Sequence, residues 1–414
     1  RGLPGPVGRL AHLMVGTQVA IIGAGPAGLM LSHLLQRAGI DSVVLENRSR
    51  EYVERRIRAG VLEHGAAQLL RDNGVGGRMG REGLLHRGIY IQFEGERHHI
   101  DFVELTGRGI SVYGQQEIVK DLIQARLAAG GKLLFEAEAT HIGDFGQDDR
   151  PWVAYRHNGQ EQRVECEFVA ACDGSHGIGR AALVGVGARA YEREYPHAWL
   201  GILARIPPAS DELIYAYHQR GFALHSMRSP EVSRLYLQVP PDEQLADWPE
   251  ERIWNELRLR LGELSLQAGE ILEIGITPLR SYVLEPMQSG RLFVAGDAAH
   301  IVPPTGAKGM NLALADVASL AAGLRDRLLS GSPERLAAYS RACSRRVWRA
   351  EYFSNFMTQL LHRDAEEDPF AHQLRLAQLR QLTTSRAAAT ALAENYTAAA
   401  TETLGQGVVS TPGA

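Results

Sequence analysis

Three glycines near the amino end have the spacing of a phosphate-binding turn. Gly23, Gly25 and Gly28 follow a short apolar run, residues 19–22, and precede a helical pattern. Gly23 and Gly25 permit a tight turn and a close approach of the backbone to a pyrophosphate, and Gly28 lets the helix pack close to the strand. Glu46 ends the next apolar run, near the spacing expected for a carboxylate that accepts a ribose hydroxyl. The pattern predicts a dinucleotide-binding unit rather than an ordinary β-turn-α unit.

A second candidate binding residue, Asp297, stands at the end of another buried-strand pattern. Residues 290–311 combine that strand with a loop rich in proline and glycine and the start of a helix at 308–311. Asp297 is placed to accept a hydrogen bond from a polyol, and the helix N-terminus, with Lys308, would stabilise negative charge in front of it. So many constrained residues in one stretch favour a binding site over a plain strand–loop–helix connection.

Four side chains in residues 222–239 could form a receptor for a carboxylate. The pattern predicts a β-hairpin with a five-residue loop, in which Ser226 lies opposite Tyr236 and Arg228 lies opposite Arg234. All four then share one face, because side chains alternate along a strand. Two opposed arginines repel each other, so this face is either fully solvated or close to an anion. Arg228 with the two hydroxyls suits a carboxylate, and the residues alone leave both interpretations open.

Other polar residues carry less specific signals. The arginine-rich run 47–58 contains Arg48, Arg56 and Arg58, and it suits either a solvated helix face or a site for cofactor phosphates. His86 opens a strand-like segment, and a lone histidine is more often structural than catalytic. Tyr396 follows an alanine-rich helical run, where a tyrosine is more often a packing residue.

Composition excludes several classes of protein. The chain has 414 residues, 45% hydrophobic and 22% charged, with a formal net charge of −4, so we expect two or three domains and no nucleic-acid partner. Its three cysteines form neither a C-x-x-C pair nor a metal-ligand spacing, which predicts no metal, no disulfide framework and a reducing, cytoplasmic location. No apolar run approaches the ~20 residues of a membrane helix, so no membrane association is expected. A leader, residues 1–15, and a tail, residues 406–414, are expected to be disordered.

With these motifs in place, the chain resembles the flavoprotein aromatic hydroxylases, a family of FAD-dependent monooxygenases, from about residue 17 to residue 396. The motifs that carry the resemblance are residues 23–28, 56–63, 172–174 and 295–311. It implies an α/β fold, with a Rossmann-like FAD-binding domain, an interleaved β-sheet substrate domain and C-terminal helices. The expected boundaries are 16–189 for the FAD domain, with 86–112 contributing to the substrate sheet, 190–280 for the substrate domain, 281–355 for the return to the FAD domain, and 356–405 for the helices.

The resemblance implies roles for residues of the cofactor site. FAD would lie extended across the first domain, with Glu46 at the adenosine ribose, Asp297 at the ribityl chain and the loop 304–311 beside the isoalloxazine. Arg234 is similar to the family arginine that lies near the flavin, which would explain the opposed arginines. The residues expected to bind FAD are Gly23, Gly25, Gly28, Glu46, Arg56, Arg58, Gln115, Asp173, Arg234, Asp297, Lys308, Gly309 and Asn311.

The resemblance also implies a substrate and a reaction. Arg228, with Ser226 and Tyr236, would bind the carboxylate of 4-hydroxybenzoate, and the ring would be hydroxylated at the 3-position to give 3,4-dihydroxybenzoate. Oxygen would come from O2 through a flavin C4a-hydroperoxide. A phenol has a pKa near 10, so the site must stabilise the phenolate. The residues with expected roles at the phenol are Tyr215, Tyr396, the carbonyl of Pro304, and His86 at the end of a proton path to solvent.

The nicotinamide donor has no Rossmann domain of its own, because a second G-x-G-x-x-G motif is missing. By the resemblance, the donor would bind transiently on the surface. NADPH is expected, but NADH and dual use stay open, because Asn47 stands where NADPH-using members carry arginine, although Arg48 and Arg50 are close by. The residues that resemble donor contacts are Arg48, Tyr52, Arg58, His176 and Arg280.

Two other functions stay open at this point. One is hydroxylation of another aromatic acid, such as a 3-hydroxy or 4-amino analogue, and the other is a flavin reductase or electron-transfer protein. A disulfide reductase is disfavoured because no C-x-x-C pair is present. A non-catalytic FAD-binding protein would have no use for Tyr215, Tyr396 and Arg228 together. The family resemblance also implies a homodimer.

Overall fold

The computed structural model describes residues 15–56, 58, 60–146, 148–262 and 266–398. The expected tail, residues 406–414, and residues 1–14 of the expected leader lie outside this part of the chain. Val15 was also assigned to the leader, but its backbone pairs with Val164 in a β-ladder. The fold therefore includes Val15, one residue before the predicted start at residue 16.

A six-stranded sheet forms the centre of the first domain. Its four inner strands are buried on both faces, which explains their continuous apolar runs. The central strand Val19–Ile22 pairs in parallel with Ser42–Leu45 and with Phe168–Ala171. The helix Pro26–Arg37 packs against this sheet, as the glycine motif predicts. The strand order is Gln288–Ser289, Leu292–Val294, Phe168–Ala171, Val19–Ile22, Ser42–Leu45 and Lys132–Leu134.

An eight-stranded sheet forms the second layer. Its two longest strands, Arg189–Arg205 and Glu270–Glu285, pair along almost their whole length. One face packs on the helix Glu250–Arg260, and the other packs on the C-terminal helices. The strand order is His300–Ile301, Glu270–Glu285, Arg189–Arg205, Val232–Val239, Ala223–Ser229, Ile214–Ala216, Gly88–Phe93 and Glu96–Asp101.

Smaller sheets and helices complete the described part of the chain. The strands of a four-stranded sheet are Val15–Gly16, Gln160–Glu165, Trp152–His157 and Ala137–Gly143, and those of a three-stranded sheet are Val61–Leu62, Ile110–Val112 and Leu84–His86. The α-helices not yet named are Arg50–Arg55, His64–Asp72, Gly77–Glu82, Phe102–Thr106, Gln115–Ala128, Ile178–Gly185, Gly309–Arg325, Glu334–Ala337, Tyr339–Leu361, Pro369–Thr384 and Arg386–Tyr396. Single turns of 3₁₀ or π-helix lie at Gly174–His176, Leu245–Asp247, Gly296–Ala298, Pro304–Gly306 and Asp326–Ser330. Among the described helices, none has the length and apolarity that spanning a membrane requires.

The predicted register of the hairpin is wrong by two residues. Ser226, rather than Arg228, lies opposite Arg234, and Leu224 lies opposite Tyr236. The reason is a β-bulge at Arg228, which leaves this residue without a partner on the neighbouring strand and shortens the connecting turn. The two arginines are therefore not directly opposed across the hairpin, although the charge of Arg234 still lowers the pKa of Arg228.

Candidate active site

The three glycines of the turn have different surroundings. Gly23 and Gly28 pack closely against backbone atoms, whereas Gly25 faces open space. Gly23 has φ +100°, and an added Cβ there would lie 2.4 Å from the carbonyl oxygen of Cys172. A Cβ on Gly28 would lie 2.0 Å from the carbonyl oxygen of Gly23. Gly25 precedes the helix Pro26–Arg37, and within the described part of the chain no atom lies within 4 Å of an added Cβ there. The first backbone N–H groups of this helix therefore adjoin an open space, as a phosphate site requires.

Glu46 is fixed beside this turn. One carboxylate oxygen accepts a hydrogen bond from the backbone N–H of Ala24 at 2.7 Å, and the other accepts from the N–H of Arg48 at 2.8 Å. The residue is buried at the end of the strand Ser42–Leu45. Each carboxylate oxygen can accept more than one hydrogen bond, so Glu46 can still accept from a ribose hydroxyl.

Asp297 lies at the open edge of the same sheet. It is exposed in the turn Gly296–Ala298, and the guanidinium of Arg180 anchors that turn by donating to the carbonyl oxygens of Asp297 and Ala298. Within the described residues, the Asp297 carboxylate makes no hydrogen bond or ion pair. The charge of Arg58 lies within electrostatic range of Asp297 and Glu273. Asp297 and Arg58 are thus close together and available to a ligand.

Asp173 caps a helix and retains one unused oxygen. Its Oδ2 accepts from the N–H of Gly179 at 2.9 Å in the helix Ile178–Gly185. Its Oδ1 is buried without a protein partner, and burial raises the pKa of this carboxyl. An orphaned buried oxygen beside an open glycine turn fits a ligand with hydroxyl groups, such as FAD.

Lys308 and Asn311, both predicted to contact FAD, have side-chain partners within the protein. The Lys308 ammonium pairs with Glu63 and donates to the carbonyl oxygen of Tyr396 at 2.9 Å. Asn311 donates to the carbonyl oxygens of Val61 and Ala307 and accepts from the N–H of Glu63. A buried ammonium needs an anion, so Lys308 does not face open space in front of its helix. An added Cβ on Gly309 would have no atom of the described residues within 4 Å, so the helix N-terminus is open to them there.

Two buried tyrosines meet at the substrate side of the eight-stranded sheet. The hydroxyl oxygens of Tyr215 and Tyr396 are 2.7 Å apart, and each residue is 1% exposed. Tyr215 lies on the strand Ile214–Ala216, and Tyr396 ends the helix Arg386–Tyr396, whose first turn is capped by Ser385. Burial raises the pKa of both hydroxyls, so both tyrosines keep their protons at neutral pH.

His86 is equally buried but has no partner. It lies on the strand Leu84–His86, and neither ring nitrogen makes a hydrogen bond within the described residues. Burial lowers the pKa of this imidazole, against the charges of Glu212 and Asp211, which raise it. A neutral imidazole with unused nitrogens can exchange protons through water. Because no direct bond joins His86 to Tyr215 or Tyr396, a relay between them needs bridging water.

Arg228 carries a positive charge with no carboxylate partner among the described residues. Its Nη1 donates to the carbonyl oxygen of Met227 at 2.9 Å and lies 3.4 Å from Oγ of Ser226. Its Nε is buried and makes no hydrogen bond. Burial lowers the pKa of this guanidinium, while Tyr236 raises it and Arg234 lowers it. Arg228 thus meets the requirement for a carboxylate receptor: a shielded cation whose anion is not supplied by the protein.

Arg234 lies on the strand Val232–Val239, and Pro304 lies in the turn Pro304–Gly306. Arg234 pairs with Glu273 at 3.1 Å, and its guanidinium lies 5.3 Å from the centre of the Tyr236 ring. Pro304 is exposed in the turn Pro304–Gly306, where its carbonyl oxygen accepts from the N–H of Ala307 at 2.9 Å. The Pro304 carbonyl retains a second lone pair for a phenol.

A family model described as an FAD binding domain matches residues 16–354. The chain is also 47% identical over 384 residues to p-hydroxybenzoate hydroxylase from Acinetobacter baylyi, covering 92% of this chain and 95% of that protein. This chain belongs to the p-hydroxybenzoate hydroxylase family. The predicted resemblance, the α/β fold class and the need for FAD are thereby confirmed, and the protein is an FAD-dependent monooxygenase.

More distant hydroxylases share the fold. Aklavinone 12-hydroxylase from Streptomyces peucetius is 25% identical, over 77% of this chain and 69% of that protein. The crystal structure of p-nitrophenol 4-monooxygenase from Pseudomonas putida superposes with a TM-score of 0.82 over 93% of this chain and 99% of that one, at 17% identity. This structural similarity shows the fold of the hydroxylase and not its substrate.

The residues predicted to contact the nicotinamide donor of this hydroxylase lie in several elements. Arg48 stacks on Tyr52, with its guanidinium carbon 5.2 Å from the ring centre, and both line a polar cavity of about 610 Å³. His176 is exposed, and its turn packs against the turn of Asp297. Arg280 is exposed on the strand Glu270–Glu285.

The remaining residues predicted to bind FAD, Arg56 and Gln115, make no side-chain hydrogen bond within the described residues.

The sequence analysis missed two residues that shape the site of the hydroxylase. Glu63 neutralises Lys308, but the two are 245 positions apart and no local pattern links them. Arg180 holds the turn of Asp297, and its guanidinium carbon lies 3.5 Å from the centre of the Tyr282 ring. Arg180 lies seven positions after Asp173 in the sequence. This short separation is the signal that could have drawn attention to it.

Proposed function

We propose that this hydroxylase converts 4-hydroxybenzoate to 3,4-dihydroxybenzoate, using O2 and a nicotinamide donor. The observation that carries the proposal is the unpaired guanidinium of Arg228 beside Ser226, on the sheet face that also carries Tyr215. An aromatic acid with a para hydroxyl has a carboxylate that could pair with Arg228 and a phenol that could bond to Tyr215. The identity to p-hydroxybenzoate hydroxylase over 95% of that protein supports the same substrate.

The carboxylate of the substrate would pair with Arg228. A guanidinium forms paired hydrogen bonds with a carboxylate, and the buried Nε of Arg228 would gain the partner that it lacks. The hydroxyls of Ser226 and Tyr236 would complete the receptor. The carboxylate would also offset the nearby positive charge of Arg234, which lowers the pKa of the Arg228 guanidinium.

At the other end, Tyr215 would donate a hydrogen bond to the phenolate oxygen of the substrate. Hydroxylation needs an electron-rich ring, and a donor to the charged form lowers the pKa of the phenol. Tyr215 can act as this donor because burial keeps it protonated. The proton released by the phenol would pass along the Tyr215–Tyr396 pair and reach His86 through water, while the Pro304 carbonyl orients the phenol.

FAD, when bound, accepts hydride from the donor and, once reduced, activates O2 for insertion of one oxygen atom. The glycine turn 23–28, Glu46, Asp173 and Asp297 would hold its phosphate and hydroxyl groups. The other residues expected to contact FAD are Arg56, Arg58, Gln115, Arg234, Lys308, Gly309 and Asn311. The apolar rings of Phe102 and Phe353 pack against Tyr396 and exclude water from the pocket side.

The donor would dock at the cavity of Arg48 and Tyr52 and near Arg58, His176 and Arg280. We expect NADPH, and a direct comparison with NADH decides the preference. Arg48 offers a cation to a 2′-phosphate, whereas Asn47 offers none. Within the described residues, the cavity also contains Glu136 and Glu138, and its second arginine, Arg156, already pairs with Glu138 and Glu161.

We further propose a homodimer in the cytoplasm. The long helix Tyr339–Leu361 carries an exposed aromatic stripe of Trp348, Tyr352 and Phe356 at a spacing of four residues. Exposed aromatic side chains in one row favour a protein interface. Sedimentation of wild type and Tyr352→Glu tests this proposal, since only the wild type should sediment as a dimer.

The first experiment measures consumption of NADPH and NADH by the purified holoenzyme with and without 4-hydroxybenzoate, together with 3,4-dihydroxybenzoate and peroxide. Strong stimulation with matching product supports the proposed function. Stimulation that yields peroxide alone would indicate hydroxylation of another aromatic acid. No stimulation by either donor would favour a reductase or electron-transfer role.

A further inference from the structure

A buried tryptophan–histidine pair lies on the substrate side of the eight-stranded sheet, outside the chemistry described so far. The indole Nε1 of Trp199 donates to Nε2 of His362 at 2.7 Å. Nδ1 of His362 lies 3.0 Å from the carbonyl oxygen of Thr358. An indole N–H can only donate, so Nε2 of His362 accepts and Nδ1 donates. These bonds hold His362 in one neutral tautomer, and burial lowers its pKa well below the ordinary value.

The pair connects the two ends of the proposed substrate site. The Trp199 ring centre lies 4.8 Å from that of Tyr236, in the carboxylate receptor. On the other side, the hydroxyl oxygens of Thr358 and Thr305 are 2.9 Å apart, and Thr305 belongs to the turn Pro304–Gly306. A continuous chain of buried contacts thus joins the carboxylate receptor to the turn of Pro304.

Phe222 fills the space between this chain and Tyr215. Its ring centre lies 4.6 Å from that of His362, 5.3 Å from that of Trp199 and 6.2 Å from that of Tyr215. A shift of His362 would therefore displace an aromatic ring that packs against Tyr215, because protein interiors have little free volume.

His362 is itself held in place from outside the pocket. The His197 ring stacks on it at 5.2 Å, and His197 bonds to Asp364 at 3.1 Å and to Gln238 at 3.1 Å. Gln238 also donates to the carbonyl oxygen of Arg363. The segment that follows the helix Tyr339–Leu361 is thus tied to the sheet through Arg363 and Asp364, directly after His362.

We propose that His362 is a positioning residue that sets the distance between the carboxylate receptor and the Pro304 turn, and so the length of the aromatic acid that is hydroxylated. The inference rests on the proposed function, since it takes Arg228 and Pro304 as the two ends of the substrate site. His362 acts through Trp199 and Thr358, and it selects single-ring acids whose carboxylate is attached directly to the ring.

The test compares His362→Leu, Trp199→Phe and the double variant with the wild-type holoenzyme. The measurements are product formed per donor consumed, and the kcat/KM ratio for 4-hydroxybenzoate over the longer 4-hydroxyphenylacetate. We expect each single variant to lower this ratio by about tenfold or more and to divert donor consumption to peroxide, because a misplacement of about 1 Å can cost ~100-fold in rate. The double variant should be no worse than the worse single variant, because both remove the same bond.

Two controls separate positioning from stability. Trp254 is as buried as Trp199, but it lies on the helix that packs on the opposite face of the sheet, and its Nε1 has no partner. Trp254→Phe should therefore leave selectivity and product yield unchanged. His362→Gln, whose side-chain oxygen can accept from Trp199, should restore part of the selectivity. Trp199→Phe keeps the apolar volume and remains informative if His362→Leu fails to fold.

The outcomes distinguish the two proposals. If the wild type does not hydroxylate 4-hydroxybenzoate, the proposed function fails and the inference fails with it. If the wild type does so, but His362→Leu and Trp199→Phe keep its selectivity and product yield while only their thermal stability falls, the proposed function stands and the positioning role is overturned.

Discussion

The cofactor edge and the substrate pocket satisfy their polar groups in opposite ways. At the cofactor edge, Asp297 and Arg58 are exposed and make no side-chain hydrogen bond within the described residues, and Gly25 faces open space. In the substrate pocket, Tyr215 and Tyr396 bond to each other, and Ser226 donates to the carbonyl oxygen of Arg234. The edge leaves its polar groups to solvent or a ligand, whereas the pocket pairs them internally.

This contrast makes the exceptions in the pocket informative. A buried polar group without a partner destabilises the fold, so such groups are rare unless a ligand completes them. Among the described pocket residues, Arg228 and His86 have unused buried nitrogens, and they lie where the proposed substrate anion and the released proton need partners. Substitutions in the pocket should therefore alter chemistry and specificity, and substitutions at the edge should alter cofactor affinity.

The largest effect is expected for Tyr215→Phe. Loss of its hydroxyl removes the donor to the phenolate and the first member of the proton relay, so product formation should fall by about 100-fold or more. Substrate binding and flavin reduction should persist, because neither uses this hydroxyl. Rapid-reaction absorbance of the flavin, with product assay, measures these steps separately. An unchanged product yield would remove Tyr215 from the mechanism.

Arg228→Ala should weaken substrate binding without weakening the fold. A hydrogen bond to a charged group contributes about 1.5–3 kcal/mol, so the dissociation constant should rise by about 10- to 150-fold. The melting temperature should stay equal or rise, because the variant removes a shielded cation that has no anion in the protein. Titration of flavin absorbance with 4-hydroxybenzoate gives the affinity, and a near-normal value would contradict the receptor assignment. Arg228→Lys is the control that keeps the charge but not the paired geometry.

The glycine turn allows a matched pair of substitutions at the cofactor edge. Gly28→Ala should destabilise the fold by about 1–3 kcal/mol, because its Cβ would overlap the carbonyl oxygen of Gly23. Gly25→Ala should leave the stability of the apoprotein nearly unchanged and lower its FAD content, since its Cβ meets no protein atom. Urea unfolding of the apoproteins and flavin-to-protein absorbance ratios distinguish the two effects. Equal destabilisation by both variants would contradict this division of roles.

The last prediction concerns pH dependence and Glu351, on the pocket-side helix Tyr339–Leu361. Burial raises the pKa of this carboxyl to about 7, against a hydrogen bond from Ser281, which lowers it. The unfolded chain releases this proton near pH 4.5, and the folded protein holds it to about pH 7. Stability should therefore fall by about 3 kcal/mol as pH rises from 4.5 to 7 and change little from this source above 7.

Glu351→Gln should remove this part of the pH dependence. Urea unfolding at pH 5 and at pH 8 measures it for the wild type and the variant. Parallel changes in the two proteins would mean that the Glu351 carboxyl is not held protonated in the fold.

The sequence predicts the cofactor edge better than the pocket, for a physical reason. The strand, the glycine turn and the helix of residues 19–37 are local features, and their pattern is sufficient to predict them. The partner of Lys308 is remote in sequence, so its pairing with Glu63 has no local signal. The bulge at Arg228 changes the hairpin register by a backbone irregularity that alternation of side chains does not reveal. The pocket tyrosines were identified through the family resemblance, since neither has a local pattern that marks it.

The position of Tyr396 has a consequence for how the enzyme is made. This residue comes from the last described helix, yet it completes a pocket whose other walls come from residues 86–239 and 305–362. Chains emerge from the ribosome amino end first, and domains fold largely in that order. The sheet of the glycine turn can be completed once residue 294 has been made, and the proposed proton relay closes only when the last described helix docks. A nascent chain can therefore acquire its flavin before it can hydroxylate anything.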